Sequence, residues 1–527
     1  METNTKMKKP LKVNEAESSE SCLVLEELSS NMDNNIDFLK EHFKDCSDIV
    51  FRTILLKDVE THLIYADGMV NVNMLSRDVI ANLLFNEDIL TTDLPLEEKI
   101  KKSLPIGQIS LEKEMNPIMD KIVSGNIVIL FTGITQSVVV TLPTWEKRGI
   151  GPSENEPSIK GSKESFTETL NVNTSLIRRR LLHPDCKFET LTVGEYSKTT
   201  VVLAYVSSIV NDKIVDEVRE RIKNVSIDAL VEAEYLDELI KDAPLSPFPT
   251  LQSTERPDKV VGAMLEGRVA IMQENSSFVL LAPSLVADFL MSVDDYSTNF
   301  WYSSFIRNLR YVGIFFAVFL PALFVAFTAF NQEMIPTPLL ITLANQREGV
   351  PFPAFVEALI MLIAFQILQE AGTRLPRPIG STVGIVGGLI IGDAAVKAGL
   401  VSPAMVIVTA MTAISSFSIP SIEFNTPILS IQVFLLVLSG ILGFWGIFIG
   451  ILLVFGHIVS LRSFGIPYTT PLSPLLVQDL DDVLYRAPRW ALRDRSSFLN
   501  NKNFQRLGPN SGKPTPPSPE EKKENDK

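Results

Sequence analysis

The feature that most constrains this chain is a series of long uncharged segments between residues 311 and 461. Residues 311–330 carry no charged side chain, and twenty such residues in a helix are enough to cross a hydrocarbon core of about 30 Å. Residues 382–401 and 403–420 are two further predicted spans. Residues 427–461 form either one long tilted helix or a tight hairpin that breaks near 440–446. We therefore predict an α-helical multi-pass membrane domain over residues 301–461.

The region before these spans has the patterning of a soluble α/β protein. Short runs rich in Ile, Leu and Val alternate with helical stretches, which favours a mixed sheet with helices packed on it. We predict a cytoplasmic N-terminal α/β region of two subdomains, followed by the membrane domain. Composition gives the remaining boundaries: a disordered tail 1–35, subdomain 36–143, linker 144–165, subdomain 166–300, a basic cytoplasmic C-terminal segment 462–507 and a disordered tail 508–527.

The number of crossings depends on residues 354–372, whose apolar centre lies between Glu357 and Glu370. Either carboxylate at mid-membrane would cost about 2.5–3.5 kcal/mol, so this segment is either a full span or interfacial, re-entrant or buried in protein. Arginines precede the first span and follow the last, and such basic flanks place both termini in the cytoplasm. An even number of crossings follows. Four is preferred, and six applies if 354–372 crosses and 427–461 is a hairpin.

The rest of the composition excludes several classes of protein and site. A formal net charge of −14 argues against nucleic-acid binding. The three cysteines lack disulfide-framework or zinc spacing and the four histidines lie far apart, so we expect no metal and no cofactor. We find no nucleophile–base arrangement in the sequence and expect no enzymatic activity. The polar N-terminus lacks the apolar segment of a secretory signal.

Residues 382–400 carry the most informative pattern. On a helix with 100° per residue, an arc of about 80° collects Thr382, Val386, Leu389, Asp393 and Lys397. This stripe is polar at its ends and apolar at its centre, which fits a water-filled pore with a dewetting neck at Val386 and Leu389. The alternative is structural: Asp393 and Lys397, four residues apart, pair with each other and lie buried between helices without a pore.

The opposite side of the same predicted helix is a face of small residues. A second arc of about 80° collects Gly384, Gly388, Gly392, Ala395 and Gly399. Small residues at this spacing let another membrane helix approach closely. Inside a membrane, van der Waals packing between helices takes the place of the hydrophobic effect. We therefore predict that this face packs against a neighbouring helix.

Several longer motifs resemble the A subunit of the GerA-type spore germinant receptors. They are residues 246–258 (SPFPTLQSTERPD), 331–337 (NQEMIPT), 347–353 (REGVPFP), 370–380 (EAGTRLPRPIG), 384–388 (GIVGG), 463–468 (SFGIPY) and 173–180 (NTSLIRRR). The resemblance extends from about residue 36 to 495. Two positions depart from the family pattern: residues 160–166 read KGSKESF where the family usually has RGPKEGF, and Asn331 stands where a histidine is expected.

The resemblance implies a role in nutrient sensing by dormant spores, within a complex of A, B and C subunits in the spore inner membrane. The family's A subunit is proposed to oligomerise into a ligand-gated cation channel. The expected partners are therefore the B and C subunits, further copies of the chain, membrane lipid and monovalent cations. Two rivals remain: a non-conducting scaffold that docks a separate signalling protein, and a secondary transporter. The transporter is least favoured, because the two halves of the membrane domain show no convincing repeat.

Overall fold

The computed structural model describes residues 27–56, 59–85, 109–142, 153, 155–373 and 392–508. The chain divides into two compact units, residues 1–44 with 49–144 and residues 45–48 with 145–527. The predicted tails 1–35 and 508–527 lie mostly outside the described residues, as does part of the predicted linker. The second unit contains both an α/β part and all the described apolar helices.

The first unit is built on one five-stranded antiparallel sheet. Its elements are α1 (Met32–His42), β1 (Ile49–Leu56), β2 (Val59–Ala66), α2 (Val72–Met74), a π-helical segment (Leu75–Ile80), α3 (Ala81–Phe85), β3 (Ile109–Glu112), α4 (Met115–Val123), β4 (Ile127–Phe131) and β5 (Ser137–Val140). The strand order is β1-β2-β4-β5-β3. The central strand β4 is buried on both faces, which explains its unbroken apolar sequence.

The α/β part of the second unit contains another five-stranded sheet. Its elements are α5 (Leu170–Arg178), β6 (Cys186–Val193), β7 (Thr199–Val206), α6 (Asp212–Lys223), α7 (Ala233–Ile240), β8 (Gln252–Thr254), α8 (Pro257–Leu265), β9 (Val269–Gln273) and β10 (Val279–Ala282). The strand order is β6-β7-β9-β10-β8. This is the order of the first sheet, so the chain uses one strand topology twice.

Strand direction is where the sequence prediction is wrong. Every pairing between the described strands is antiparallel, whereas alternating strands and helices favoured mixed sheets. The pairs β1–β2, β4–β5, β6–β7 and β9–β10 are each joined by a short connection, which permits only antiparallel pairing. The edge strands β3 and β8 were not predicted, because they are short and their residues show no clear alternation.

The apolar part of the second unit is a bundle of helices. They are α9 (Asp294–Ser297), α10 (Phe300–Ala329), α11 (Thr337–Arg347), α12 (Ala354–Thr373), α13 (Pro403–Ser416), α14 (Asn425–Leu442) and α15 (Phe444–Ser460), and residues 392–397 are also helical. Among the described residues, three helices are long and apolar enough to cross a membrane, Phe300–Ala329, Ala354–Gly372 and Ile422–Leu442. Two shorter apolar helices, Pro403–Ser416 and Phe444–Ser460, accompany them.

Residues 427–461 form the hairpin, not the single tilted helix. Gly443 separates α14 from α15 with φ +58° and ψ −136°, a conformation that is essentially restricted to glycine. The two helices are antiparallel, since Gly450 lies against Leu435 and Gly446 lies against Leu438. A Cβ atom on Gly443 would lie 2.7 Å from Cβ of Phe330, so the turn also needs a residue without a side chain.

Three helix ends meet the α/β part of the second unit, at what we call the proximal end of the bundle. Near the start of α10, Arg310 Nη1 donates to the carbonyl of Leu290 at 2.6 Å. Directly before α14, Glu423 accepts a hydrogen bond from the backbone N–H of Ser253 at 2.8 Å. Near the end of α15, His457 Nε2 lies 2.9 Å from Ser246 Oγ. Thus α10 and α14 leave the proximal end, and α15 returns to it.

The opposite, distal end holds the end of α10 and the starts of α12 and α13. The backbone N–H of Phe444, in the hairpin turn, donates to Asn331 Oδ1 at 3.4 Å. A Cβ atom on Gly440 would lie 2.6 Å from the ring of Phe355, which places the start of α12 beside the same turn. The start of α13 lies beside α12, because the backbone N–H of Ser402 donates to Glu357 Oε2 at 2.9 Å. Thus α10 and α14 run from the proximal to the distal end, whereas α12, α13 and α15 run from the distal to the proximal end.

The segment after the last helix returns to the α/β part. It forms β11 (Arg462–Ser463) and β12 (Ile466–Pro467), and Ser463 Oγ donates to the carbonyl of Thr250 at 2.6 Å. Phe464 and Leu499 are buried in the apolar cluster beneath the second sheet. The predicted C-terminal segment 462–507 is therefore a packed part of the second unit, not only a basic flank.

Candidate membrane site and its joint with the α/β part

The predicted pore stripe is only partly described by the structure. Thr382, Val386 and Leu389 lie outside the described residues. Asp393 and Lys397 lie on the 392–397 helix, and Lys397 Nζ is 2.7 Å from Asp393 Oδ2. Their side chains are 58% and 74% exposed. The ion pair of the structural alternative is therefore present, but it is not buried between helices.

The predicted face of small residues is also described only at one end. Gly384 and Gly388 lie outside the described residues. Gly392 is buried, and a Cβ atom there would lie 3.2 Å from Val406 Cγ1 of α13, so this helix does approach a neighbour closely. Ala395 packs against the apolar cluster that contains Met405. Gly399, with φ +65°, lies in the turn after residue 397 and not on a continuous helical face.

The ambiguous segment 354–372 is a single helix, and its first carboxylate lies at the distal end of the bundle. Glu357 is fully buried; its Oε2 accepts from the backbone N–H of Ser402 at 2.9 Å, and its Oε1 lies 3.2 Å from Arg347 Nη2. The carboxylate thus joins α11, α12 and the start of α13. A paired carboxylate near a helix end avoids most of the penalty of an isolated charge at mid-membrane.

At the proximal end, a group of charged and polar side chains around three buried residues, Asp295, Arg307 and Arg310, holds the start of α10. We call Asp295, Tyr296, Arg307, Arg310 and Asp482 the arginine cluster. Asp295 lies 3.1 Å from Arg310 Nη1 and 3.4 Å from Arg307 Nε. Arg307 also reaches Asp482 at 3.3 Å, and Tyr296 donates its hydroxyl to Asp482 at 2.8 Å. Burial raises the pKa of Asp482, although Arg307 acts in the opposite direction. The cluster ties α10 to the C-terminal segment.

A second contact at the proximal end is aromatic; we call Phe248, Phe289, Phe424 and Tyr468 the aromatic joint. The rings of Phe289 and Phe424 stack with centroids 5.6 Å apart, and Phe248 contacts both Phe424 and Tyr468 at centroid distances of 6.3 and 6.5 Å. Phe248 and Phe289 belong to the α/β part, whereas Phe424 directly precedes α14. A displacement of the α/β part therefore acts directly on the helical hairpin.

Sequence reasoning assigned no role to either contact. The sequence context of Arg307 and Arg310 predicts only a basic flank of the first span, yet both are buried and paired. The motif SPFPTLQSTERPD could have drawn attention to the proximal end, since it contains Phe248 of the aromatic joint and Ser253, the hydrogen-bond partner of Glu423. Within the described residues, no group of three or more His, Cys, Asp or Glu side chains could hold a metal ion. What the arrangement offers is mechanical coupling between the α/β part and three helix ends.

A family model described as "Bacillus/Clostridium GerA spore germination protein" matches residues 37–498. Spore germination protein KA of Bacillus subtilis (strain 168) is 40% identical over 484 residues, which cover 91% of this chain and 89% of that protein. The uncharacterized membrane protein YfkQ of the same organism is 38% identical over 481 residues, covering 91% and 93% of the two chains.

Among solved structures, the chain is similar to the N-terminal domain of the A subunit of the Bacillus megaterium spore germinant receptor GerK3. The identity is 30% and the TM-score is 0.39. The match covers 49% of this chain and 97% of that domain.

Proposed function

Because the chain belongs to the GerA spore germination protein family, we propose that it is the A subunit of a nutrient germinant receptor in the spore inner membrane. We further propose that several copies, with B and C subunits, form a ligand-gated channel for monovalent cations. The observation that carries the assignment is the family match, which spans the α/β region and the apolar helices alike. The channel itself is supported by the stripe on residues 382–397.

In this mechanism, nutrient binding to the receptor shifts an equilibrium between closed and open states. The size of the shift is limited by the difference between the nutrient's affinities for the open and the closed state. The aromatic joint and the arginine cluster pass the change to α14 and α10. Val386 and Leu389 form the neck of the pore, and Asp393 and Lys397 lie at its distal mouth. Dewetting at an apolar neck stops ions without a physical plug.

The second candidate is a non-conducting scaffold that transmits the signal within the same complex. The observation that favours it is the ion pair between Asp393 and Lys397, which neutralises the two charges that the stripe would present to ions. Under this alternative, the bundle changes shape on signalling but releases no ions itself.

The two candidates are separated by Leu389→Ala, tested in unstimulated spores. For a channel, the smaller side chain widens and hydrates the neck, so we expect leakage of monovalent cations or germination without nutrient. Ion release is measured by flame photometry of the medium. The matched control is Leu452→Ala, because Leu452 is exposed on α15. If Leu389→Ala protein accumulates normally and both dormancy and the nutrient response are unchanged, the pore stripe is wrong and the scaffold is favoured.

We propose six membrane crossings with both termini on the cytoplasmic side, in place of the preferred four. The support is the hairpin at Gly443, the uninterrupted helix Ala354–Gly372 and the shared direction of α12 and α13, which calls for one further crossing between them, as predicted for residues 382–401. Six crossings put the turn between α14 and α15 outside, so Trp445→Cys should react with a membrane-impermeant maleimide in intact cells. Ser297→Cys, exposed at the proximal end, is the control and should react only after permeabilisation. Equal protection of both positions would contradict six crossings.

A further inference from the structure

The exposed side of α10 carries a stripe with heptad spacing. Its exposed residues at steps of four and three are Trp301, Phe305, Asn308, Val312 and Phe315. On a helix with 100° per residue these five fall within an arc of about 80°. The four apolar members are each between 48% and 75% exposed. We call these five residues the α10 seam.

The opposite side of α10, over the same turns, already packs against other residues of this chain. Ser303, Arg307 and Arg310 are buried, with Ser303 Oγ donating to the carbonyl of Asp295 at 2.7 Å. The orientation of α10 is thus fixed by the arginine cluster, and the seam is left facing outward. Large aromatic side chains so exposed and so aligned typically mark an interaction surface.

Lipid covers only part of this seam. If the hydrocarbon core begins near residue 311, the start of α10 extends about 15 Å beyond it at 1.5 Å per residue. The head-group layer of one leaflet is only about 5–8 Å thick. Val312 and Phe315 then face lipid tails or another helix, but Trp301 lies beyond the head groups. A protein helix is the partner that can cover the seam along its whole length.

We propose that the α10 seam is an interface between copies of this chain, which associate through a parallel bundle of α10 helices. The seam continues from the aqueous side into the membrane, so its partner must be a helix with the same two parts in the same order. The α10 helix of a second copy is such a helix. Apolar residues at steps of four and three interlock in parallel coiled coils, and a single polar residue such as Asn308 sets their register.

This proposal names one contact between copies, and it rests on the proposed function only in treating α10 as a membrane span. It also assigns a role to the length of α10, whose first three turns would otherwise expose aromatic rings to water. The arginine cluster would act as the anchor that presents the seam, since it holds the opposite side of the helix.

The test is cysteine cross-linking of the full chain in membranes of sporulating cells. In a parallel bundle the Asn308 positions of neighbouring copies are close, so oxidised Asn308→Cys should yield a product at twice the chain mass of 58.5 kDa. Ile306→Cys is the matched control, because Ile306 lies at the same depth but is turned about 160° away from Asn308 on the helix. The chain without added cysteine gives the background from its native thiols.

The expected result is several-fold more dimer product from Asn308→Cys than from Ile306→Cys. Adding Phe305→Glu should abolish that product, because carboxylates from adjacent copies would then meet within the seam, while the exposed site leaves the fold of one chain intact. A product no stronger than the control, a product of unequal mass, or cross-linking that survives Phe305→Glu would each overturn the proposal. None of these results depends on ion release, so the channel hypothesis can fail while this interface stands, and the reverse.

Discussion

Replacement of Asp295 by alanine is expected to lower the free energy of unfolding by about 3–5 kcal/mol, the cost of breaking a buried ion pair on one side. Asp295 is 3% exposed and faces both Arg307 and Arg310, so its loss leaves two buried guanidinium groups without this carboxylate. The measurement is chemical unfolding of the purified full chain in detergent. The amount of protein in the membrane fraction should fall in parallel.

Two further variants provide reference values for the loss of stability expected from Asp295→Ala. Asp295→Asn keeps the shape and part of the hydrogen bonding, so it should fall between the wild type and Asp295→Ala. Asp216→Ala also breaks an arginine pair, but at a carboxylate that is 69% exposed, and should cost less than about 1 kcal/mol. If Asp295→Ala cost no more than Asp216→Ala, the arginine cluster would not hold α10 in the way described.

Replacement of Gly443 by alanine is expected to destabilise the hairpin of α14 and α15 by about 2–5 kcal/mol, from backbone strain and overpacking together. The backbone at Gly443 has φ +58°, and the added methyl group would meet the side chain of Phe330. Because the turn contacts the end of α10, the loss should appear as reduced thermal stability and as greater proteolysis of the helical part. Both are measurable on the detergent-solubilised chain.

Gly456→Ala is the control that the chain itself offers. Gly456 lies within α15, and a Cβ atom there would meet no heavy atom within 4 Å. This substitution should be neutral or stabilising by up to about 1 kcal/mol, because alanine is the better helix former. Adding Phe330→Ala to Gly443→Ala should recover only the part of the loss that comes from the ring of Phe330, because alanine keeps the Cβ atom that lies nearest to the new methyl group. Full recovery would mean that the backbone at residue 443 is not strained.

Apolar patterning predicts the helical part of this chain well because burial in lipid requires long uncharged segments. The segment that begins at residue 311 is confirmed as part of α10, but the helix itself starts at Phe300. The sequence could not place that start, because Arg307 and Arg310 look like a solvated flank. Their pairing with Asp295 is a tertiary contact, which a local sequence pattern cannot predict.

The α/β region shows the same division between local and non-local information. Buried strands such as β4 and amphipathic helices such as α6 can be predicted, since an unbroken apolar run marks the one and a helical apolar period marks the other. The edge strands β3 and β8 were missed, and the repeated strand order could be recognised only once pairing was known. Strand order depends on contacts between residues that lie far apart in the chain.

The candidate site is the part of the prediction that the structure tests least. Of the predicted pore stripe, the structure describes only Asp393 and Lys397, and the assignment of the stripe to a pore stays a prediction. Glu357 shows why single carboxylates are hard to interpret from sequence: its cost in a membrane depends on Arg347 and on the backbone of Ser402. Neither partner can be inferred from spacing.

The return of the C-terminal segment has a consequence for how this protein is made. Phe464 and Leu499 complete an apolar core whose other members, such as Val201 and Ile271, are synthesised before any of the apolar helices. On the ribosome, that core stays unfinished until the last helix has been delivered to the bilayer. The second sheet therefore reaches its final packing only after translation and membrane insertion are complete. A chain that stops early exposes an unfilled core, which proteases can recognise.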